Sequence, residues 1–203
     1  MAYILSILMG YLLGCSNLSY FISKAKGVDI RQHGSGNLGA ANAVITMGAK
    51  VGVLVAIHDI CKAMIAVWLC RTCFPAALQI GAVAGVACVI GHIFPFYLKG
   101  KGGKGFASFL GMTLALDWKL ALIVVGVVIV ITWVTDYLVL GSVSASLLVP
   151  IYSGIAEQSW LLGGILMAGA LLIAYKHKDN FPRMLDGTEI GLRRTLTKKD
   201  RVS

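Results

Sequence analysis

A seven-residue segment rich in lysine and glycine carries the strongest chemical signal in the sequence. The segment 99–105 reads KGKGGKG and lies between two apolar runs. Glycines let backbone N–H groups approach a ligand closely, and N–H groups beside lysines form an anion site suited to phosphate. It is no dinucleotide fingerprint, because no strand precedes it, and Phe106 stands where a Walker A loop has lysine. We therefore expect the N–H groups and Lys104 to bind phosphate.

Three polar clusters are numbered in chain order: the first spans residues 34–42 and reads GSGNLGAAN, just before an apolar run, and the segment 99–105 belongs to the second. Ser35, Asn37 and Asn42 can donate hydrogen bonds, and the glycines expose their N–H groups. A flexible turn at the membrane interface is the alternative interpretation of this composition. The density of glycine and asparagine favours a ligand site.

A third polar cluster, HKDNFPR at 177–183 followed by GTE at 187–189, comes after the last apolar run. His177 and Asn180 are three residues apart, so they could share one helix face and converge on one ligand. A solvated tail beside the membrane is the alternative. The downstream basic run is expected to contact anionic lipid; it consists of Arg193, Arg194, Lys198, Lys199 and Arg201.

The composition identifies the chain as an integral membrane protein. It has 203 residues, of which 58% are apolar and only 13% charged, and its mean hydropathy is +0.82. A soluble domain would be about a quarter charged. We expect one polytopic domain over residues 1–203 with a basic cytoplasmic tail at 176–203. The net charge of +9 does not indicate nucleic acid, because no basic tract is interleaved with aromatic residues.

The apolar runs predict an all-α bundle of about seven transmembrane helices, since each crossing takes about twenty apolar residues. The expected spans are 2–23, 51–70, 77–98, 106–116, 119–139, 140–156 and 159–175. The fourth is short for a full crossing, so five or six spans are also open. With the N-terminus outside and the C-terminus inside, most of the 18 lysines and arginines fall on the cytoplasmic side. All three polar clusters then share that side.

A few polar residues lie within the apolar runs. Asp59 and Lys62 are one helical turn apart, and each would be costly in the membrane alone, so we expect a structural ion pair. Asp136 is interpreted as a lone carboxylate and Ser142 as a nearby hydroxyl, and either could face the polar pocket. The Cys70–Cys73 pair has redox spacing but no second pair, which favours simple packing.

The residue inventory points away from covalent and metal chemistry. No Ser/His/Asp or Cys/His nucleophile set stands out, and neither a metal cluster nor a cofactor motif is evident, so we expect no metal and no cofactor. None of the four histidines has aspartate five residues later, which excludes the His-x4-Asp pattern of acyl-CoA-dependent acyltransferases. A site that holds phosphate and stabilises negative charge needs an activated substrate, such as an acyl phosphate.

The three clusters resemble the motifs of a known family. SGNLGAAN, GHIFPFYLKGKGGKG and HKDNFPRMLDGTE are similar, in order and spacing, to those of the bacterial acyl-phosphate:glycerol-3-phosphate acyltransferases, the PlsY family. The resemblance covers essentially the whole chain. It implies a seven-helix fold in the bacterial cell membrane, and acyl transfer from acyl phosphate to the 1-hydroxyl of sn-glycerol 3-phosphate, giving lysophosphatidate and phosphate. Membrane lipids and the enzyme that makes acyl phosphate are the implied partners.

The resemblance also implies roles for individual residues. The residues implied to be catalytic are Ser35, Lys104, His177 and Asn180. Those implied to bind substrate or phosphate are Gly36, Asn37, Asn42, His92, Lys101, Gly102, Gly103, Gly105 and Ser142. Glu189 is expected to support the structure, together with the Asp59–Lys62 pair. Either His177 or a substrate phosphate is expected to accept the proton of the attacking hydroxyl.

This sequence departs from the family pattern at a few positions. The family usually has arginine where this chain has Ile45 and Asp136, often lysine near Ala49, and threonine in place of Ala41. These changes lower the positive potential expected for a site that binds two phosphates. A different phosphorylated acceptor and a paralogue of low activity therefore stay open. A small anion or lipid-phosphate transporter is a third alternative, although no internal repeat supports it.

Overall fold

The regular elements of the described chain are all helices, joined by loops. A computed structural model describes residues 1–76 and 79–193, which contain no strand. The helices are α1 Ala2–Cys15, α2 Leu18–Ala25, α3 Ala40–Met47, α4 Ala49–Cys73, α5 Gln79–Ile93, α6 Phe106–Leu116, α7 Trp118–Thr135, α8 Leu138–Ala156, α9 Trp160–Lys176 and α10 Asn180–Leu185. Short 3-10 turns lie at Ile30–Gln32 and Phe96–Leu98.

Within the described residues, five segments are long and apolar enough to cross a membrane. They are Ala2–Ala25, Ala49–Cys73, Gln79–Leu98, Trp118–Thr135 and Leu138–Ala156, and the shorter apolar helices are α6 and α9. The first expected span, 2–23, is not one continuous helix, because the helix is interrupted between the end of α1 and the start of α2. The count of seven spans, the orientation and the single-domain interpretation stay predictions. The expected lipid contact at residues 194–201 lies outside the described residues.

Helix α5 is the centre of the bundle, and glycines bring α1 against it. A Cβ at Gly10 would lie 2.2 Å from the carbonyl oxygen of Ala84, and one at Gly14 would lie 2.1 Å from that of Cys88. From the other side, a Cβ at Gly91 would lie 2.2 Å from the carbonyl oxygen of Tyr11. This close approach is the usual use of small residues at the interfaces of membrane helices.

The main apolar core joins α5 to α6, α7, α8 and α9. Its fully buried members include Val89, Ile93, Phe109, Val124 and Ile173. Phe109 and Ile173 lie on the helices that carry the second and third polar clusters. The core therefore fixes the helix ends from which the polar clusters project, and these clusters meet at one end of the bundle.

Candidate active site

The three polar clusters meet around two adjoining cavities. The larger has a volume of about 550 Å³ and takes its lining from all three clusters; it is lined by Asp29, Arg31, Gln32, Ser35, Gly36, Asn37, Gly100, Lys101, Gly102, Gly103, Lys104, Lys176, Asp179, Asn180 and Arg183. The smaller, of about 160 Å³, lies towards the helices. Ser35, Asn37, Lys104 and Asn180 line both, so these four side chains stand at the junction.

The first cluster is held in shape by its own side chains. The Asn37 amide donates to Ser35 Oγ at 2.9 Å and accepts from the N–H of Gly39 at 2.8 Å. The Ser35 N–H donates to Asn42 Oδ1 at 2.8 Å. A serine hydroxyl that accepts one hydrogen bond still has its own proton to donate. Ser35 is thus presented to the cavities as a hydrogen-bond donor.

Asn42 does not take the place expected of a substrate ligand. Its side chain is fully buried, and it lines neither cavity. Its amide nitrogen donates to the carbonyl oxygens of Ile30, at 3.1 Å, and Asn37, at 2.7 Å. All its polar groups are used inside the loop, so Asn42 holds the loop together. Gly36 does line the larger cavity, but its N–H donates to His33 O at 3.0 Å.

The glycine segment also differs from the expectation that its N–H groups cradle phosphate. The N–H of Gly102 donates to Ile93 O at 3.0 Å, and that of Gly103 to His92 O at 3.2 Å. The glycines instead provide space. A Cβ at Gly102 would lie 2.0 Å from His92 O, and one at Gly103 would lie 2.1 Å from His92 Nε2. These residues let the segment fold back onto the end of α5.

The residues just after Gly103 line the smaller cavity and keep their backbone N–H groups free of backbone acceptors within the described chain. Gly105, with φ +96°, turns the chain into α6. Lys104, Gly105, Phe106 and Ala107 line the smaller cavity, and their N–H groups have no backbone acceptor among residues 1–76 and 79–193. The first N–H groups of a helix lack intrahelical partners and favour anions. At this helix start, unlike at residues 100–103, the backbone N–H groups are left available to an anion.

Lys104 is tied to the third cluster through Asn180. Its ammonium group donates to Asn180 Oδ1, and Asn180 Nδ2 donates to Glu189 Oε1 at 2.6 Å. Burial lowers the pKa of Lys104 to about 8, and the Glu189 carboxylate partly opposes this shift. Lys104 is therefore mainly charged at neutral pH, but it titrates within reach of experiment. Glu189 also accepts from Arg183 Nε at 2.8 Å, in line with its expected supporting role.

His177 and Asn180 converge, but they do not share a helix. His177 directly follows α9, and Asn180 begins α10 with its N–H donating to His177 O at 2.9 Å. His177 Nδ1 lies 2.8 Å from the carbonyl oxygen of Ile173, so Nδ1 carries the hydrogen and Nε2 is the acceptor. Burial, followed by the charge of Lys104, lowers the pKa of His177 to about 4. The imidazole is therefore neutral at physiological pH.

The expected ion pair is present and is part of a larger buried group. Lys62 Nζ lies 2.8 Å from Asp59 Oδ1 and 2.9 Å from His92 Nδ1. All three residues are at most 5% exposed. Asp59 and His92 reach the wall of the smaller cavity. Ser142, on α8, is also buried and lines this cavity, whereas Lys101 lines only the larger one.

The interpretation of Asp136 as a lone carboxylate is wrong. Its Oδ1 accepts from the N–H of Arg193 at 2.9 Å, and its carbonyl oxygen accepts from the N–H of Leu192 at 2.8 Å. Asp136 lines neither cavity. It therefore does not put a negative charge on the cavity walls, and it binds a later part of the chain instead.

Five further charged side chains line the larger cavity and are not among the site residues predicted from the sequence: Asp29, Arg31, Lys176, Asp179 and Arg183. Asp29 and Arg31 precede the first cluster, Lys176 precedes the third, and Asp179 and Arg183 lie within the third, so their positions in the sequence are the available signal. Asp29 binds Arg31 with both carboxylate oxygens, each at 2.9 Å. This pairing lowers the pKa of Asp29 and fixes the direction of the guanidinium group.

Sequence comparisons relate this chain to a known enzyme family. The family model described as glycerol-3-phosphate acyltransferase matches residues 4–187. The glycerol-3-phosphate acyltransferase of Prochlorococcus marinus is 38% identical over 197 residues, which cover 95% of this chain and 98% of the relative. This chain belongs to the glycerol-3-phosphate acyltransferase family. Another member, from Thermosipho melanesiensis, is 39% identical over 189 residues, covering 93% of this chain and 92% of the relative.

Solved structures of the glycerol-3-phosphate acyltransferase family share the fold. The crystal structure of PlsY, an integral membrane glycerol 3-phosphate acyltransferase, in its glycerol 3-phosphate form has a TM-score of 0.88 at 32% identity, covering 95% of this chain and 96% of PlsY. Its lysophosphatidic acid form has a TM-score of 0.85 at 31% identity, covering 97% and 100%. The chain is thus an all-helical integral membrane protein. Its departures Ala41 and Ile45 both line the smaller cavity.

Proposed function

We propose that this protein transfers a fatty acyl group from acyl phosphate to the 1-hydroxyl of sn-glycerol 3-phosphate, which yields lysophosphatidate and phosphate. The observation that carries the proposal is the position of Lys104 and Asn180 at the junction of a cation-lined cavity and a smaller cavity that contains His177. Family membership supports the reaction class, and PlsY has been crystallised in glycerol 3-phosphate and lysophosphatidic acid forms.

The larger cavity suits phosphate groups because cations outnumber carboxylates on its wall. The cations are Arg31, Lys101, Lys104, Lys176 and Arg183, and the carboxylates are Asp29 and Asp179. Arginine is well suited to binding phosphate through two hydrogen bonds. Charged phosphates would gather here, while the less polar smaller cavity admits the glycerol hydroxyl and the acyl carbonyl.

The transfer is a direct displacement at the acyl carbon. The glycerol oxygen forms a bond to that carbon, and the bond from the carbon to the phosphate oxygen breaks. Lys104 and the first N–H groups of α6 stabilise the negative charge that develops on the departing oxygen. Holding both substrates at one junction supplies much of the rate, since well-oriented reactants gain roughly 7–11 kcal/mol over free encounter. No covalent intermediate is needed.

The hydroxyl proton ends on the departing phosphate. The His177 Nε2 lone pair can accept a hydrogen bond from the attacking hydroxyl and so orient it. With a pKa of about 4, the imidazole holds a proton poorly at neutral pH. A phosphate monoester has its second pKa at about 6, so phosphate is the better final acceptor. The transfer then balances without a metal or a cofactor.

The membrane setting completes the proposal. The chain would lie in the bacterial cell membrane as a seven-helix bundle, with the N-terminus outside and the three clusters and the C-terminus in the cytoplasm. Lipid supplies the path for the acyl chain. An enzyme that makes acyl phosphate would supply the donor.

The experiment is a donor and acceptor panel with purified protein in lipid. We expect acyl phosphate and glycerol 3-phosphate to give lysophosphatidate and phosphate, and acyl-CoA to substitute poorly. Other phosphorylated polyols test whether Ile45 changes the acceptor. Ser35→Ala should abolish turnover while the protein stays folded. Wild-type turnover in the folded Ser35→Ala variant would contradict the assigned site. If another phosphorylated polyol reacts faster than glycerol 3-phosphate, that polyol is the acceptor.

A further inference from the structure

The last described residues of the chain cross the junction between α7 and α8. We call residues 189–193 the C-terminal strap. Its end is fixed to Asp136, because the N–H of Leu192 donates to Asp136 O at 2.8 Å and that of Arg193 donates to Asp136 Oδ1 at 2.9 Å. Asp136 has a left-handed backbone, with φ +68°, and both its carbonyl and its carboxylate accept hydrogen bonds from the strap.

The strap fits against Asp136 only because residue 191 is glycine. Gly191 is buried. A Cβ at this position would lie 2.1 Å from Asp136 Oδ2 and 2.8 Å from Asp136 Cγ, whereas Asp136 O would be 3.4 Å away. A side chain at position 191 would therefore collide with the Asp136 carboxyl group but not with the Asp136 backbone.

The other end of the strap forms part of the site. Glu189 and Ile190 line the smaller cavity. The Glu189 side chain is only 9% exposed, and it accepts from Asn180 Nδ2 at 2.6 Å. Asn180 in turn accepts from Lys104. A continuous series of contacts therefore runs from Asp136 through the strap to Lys104.

We propose that Asp136 is a positioning residue, which holds the C-terminal strap so that Glu189 orients Asn180 and Lys104 and Ile190 closes the cavity wall. The inference rests on the proposed acyl transfer. A displaced strap leaves Asn180 Nδ2 without its acceptor and opens the smaller cavity to water. Water then attacks the acyl carbon in place of glycerol, the carbon–oxygen bond to phosphate breaks, and fatty acid and phosphate are released with the proton on phosphate.

The ratio of phosphate released to lysophosphatidate formed reports the position of the strap. General destabilisation of the protein does not change this ratio. We expect a ratio near one in the wild type. Gly191→Ala should lower kcat at least about fivefold and raise the ratio clearly above one. Gly164→Ala is the matched control, since a Cβ at Gly164 meets nothing within 4 Å.

The double variant, Gly191→Ala with Asp136→Gly, separates the collision from the loss of the acceptor. Glycine at position 136 keeps the left-handed backbone and removes the carboxyl group that the new methyl group strikes. The double variant should recover kcat and the product ratio only as far as Asp136→Gly alone, because it lacks the carboxylate that accepts from the N–H of Arg193. Asp136→Asn keeps an oxygen acceptor in the side chain and tolerates this backbone. Its ratio of phosphate to lysophosphatidate should therefore be closer to one than that of Asp136→Gly.

The outcomes separate this inference from the proposed function. If the wild type makes no lysophosphatidate, the proposed function fails. If the wild type is active but Gly191→Ala behaves like Gly164→Ala, or folded Asp136→Gly keeps the wild-type ratio, the role of Asp136 is refuted. If Gly191→Ala does not fold, Asp136→Gly alone decides, and a wild-type ratio in that folded variant overturns the inference.

Discussion

Removal of the Lys104 charge should slow acyl transfer by about two to three orders of magnitude. Lys104 is half-buried at the junction of the two cavities. A unit charge about 4 Å from the developing charge contributes roughly 4 kcal/mol at an effective dielectric constant of about 20. Each factor of ten in rate takes about 1.4 kcal/mol, so the full term is about 10³-fold. Part of this charge interaction already stabilises the bound substrate and does not contribute to kcat. We therefore expect Lys104→Met to lower kcat by about 10²–10³.

The pH profile tests the same residue more specifically. The pKa of Lys104 is lowered to about 8, so its charge is present below that pH and is lost as the pH rises through it. In the wild type, kcat/KM should fall above about pH 8, because kcat/KM reports groups of the free enzyme. We call this fall the alkaline limb of the pH profile. Bound phosphate stabilises the Lys104 charge, so the alkaline limb of kcat should lie at higher pH than that of kcat/KM. Lys104→Met should show no alkaline limb.

The assay measures initial rates of lysophosphatidate formation from pH 6 to 10 at several glycerol 3-phosphate concentrations. Lys178→Met is the matched control, because Lys178 is exposed and lies outside both cavities. It should retain the wild-type rate and the limb. A limb near pH 8 that persists in Lys104→Met, or a loss of less than tenfold in kcat, would refute the assignment of Lys104.

Three further predictions follow from single contacts. Gly103→Ala places a methyl group 2.1 Å from His92 Nε2, so its Tm in detergent should fall; an unchanged Tm contradicts the packing. Glu189→Gln removes a charge that raises the pKa of Lys104, so the alkaline limb of kcat/KM should move to lower pH; a move upward contradicts this. Lys62→Met removes the lysine charge beside the buried Asp59 carboxylate and should cost about 3–5 kcal/mol of stability, measured by denaturant unfolding; a loss below about 1 kcal/mol argues against the buried pair.

The positions of the three clusters could be predicted because each lies at the end of an apolar run. The hydropathy pattern locates helix ends, and helix ends are where polar loops must leave the membrane. The Asp59–Lys62 contact was predictable for a similar local reason, since residues three apart share a helix face. Arg31 lies just before the first cluster and Arg183 lies within the third, so the same signal predicts these two arginines when every charged residue in and beside the clusters is included.

The contacts that the sequence did not reveal depend on residues far apart or on backbone geometry. Asp136 meets Arg193 across 57 positions, and no local pattern joins them. The N–H groups of Gly102 and Gly103 are used because the segment folds back onto α5, which composition does not encode. Glycine density predicted close backbone approach correctly, but it did not identify whether a ligand or another part of the chain approaches.

The most direct test of the account is the reaction itself. Purified wild-type protein in lipid receives acyl phosphate and radiolabelled glycerol 3-phosphate, and lysophosphatidate and phosphate are counted together. The account predicts that both products form in equal amounts, without added metal or cofactor and with little product from acyl-CoA. Absence of labelled lysophosphatidate from folded protein would contradict it.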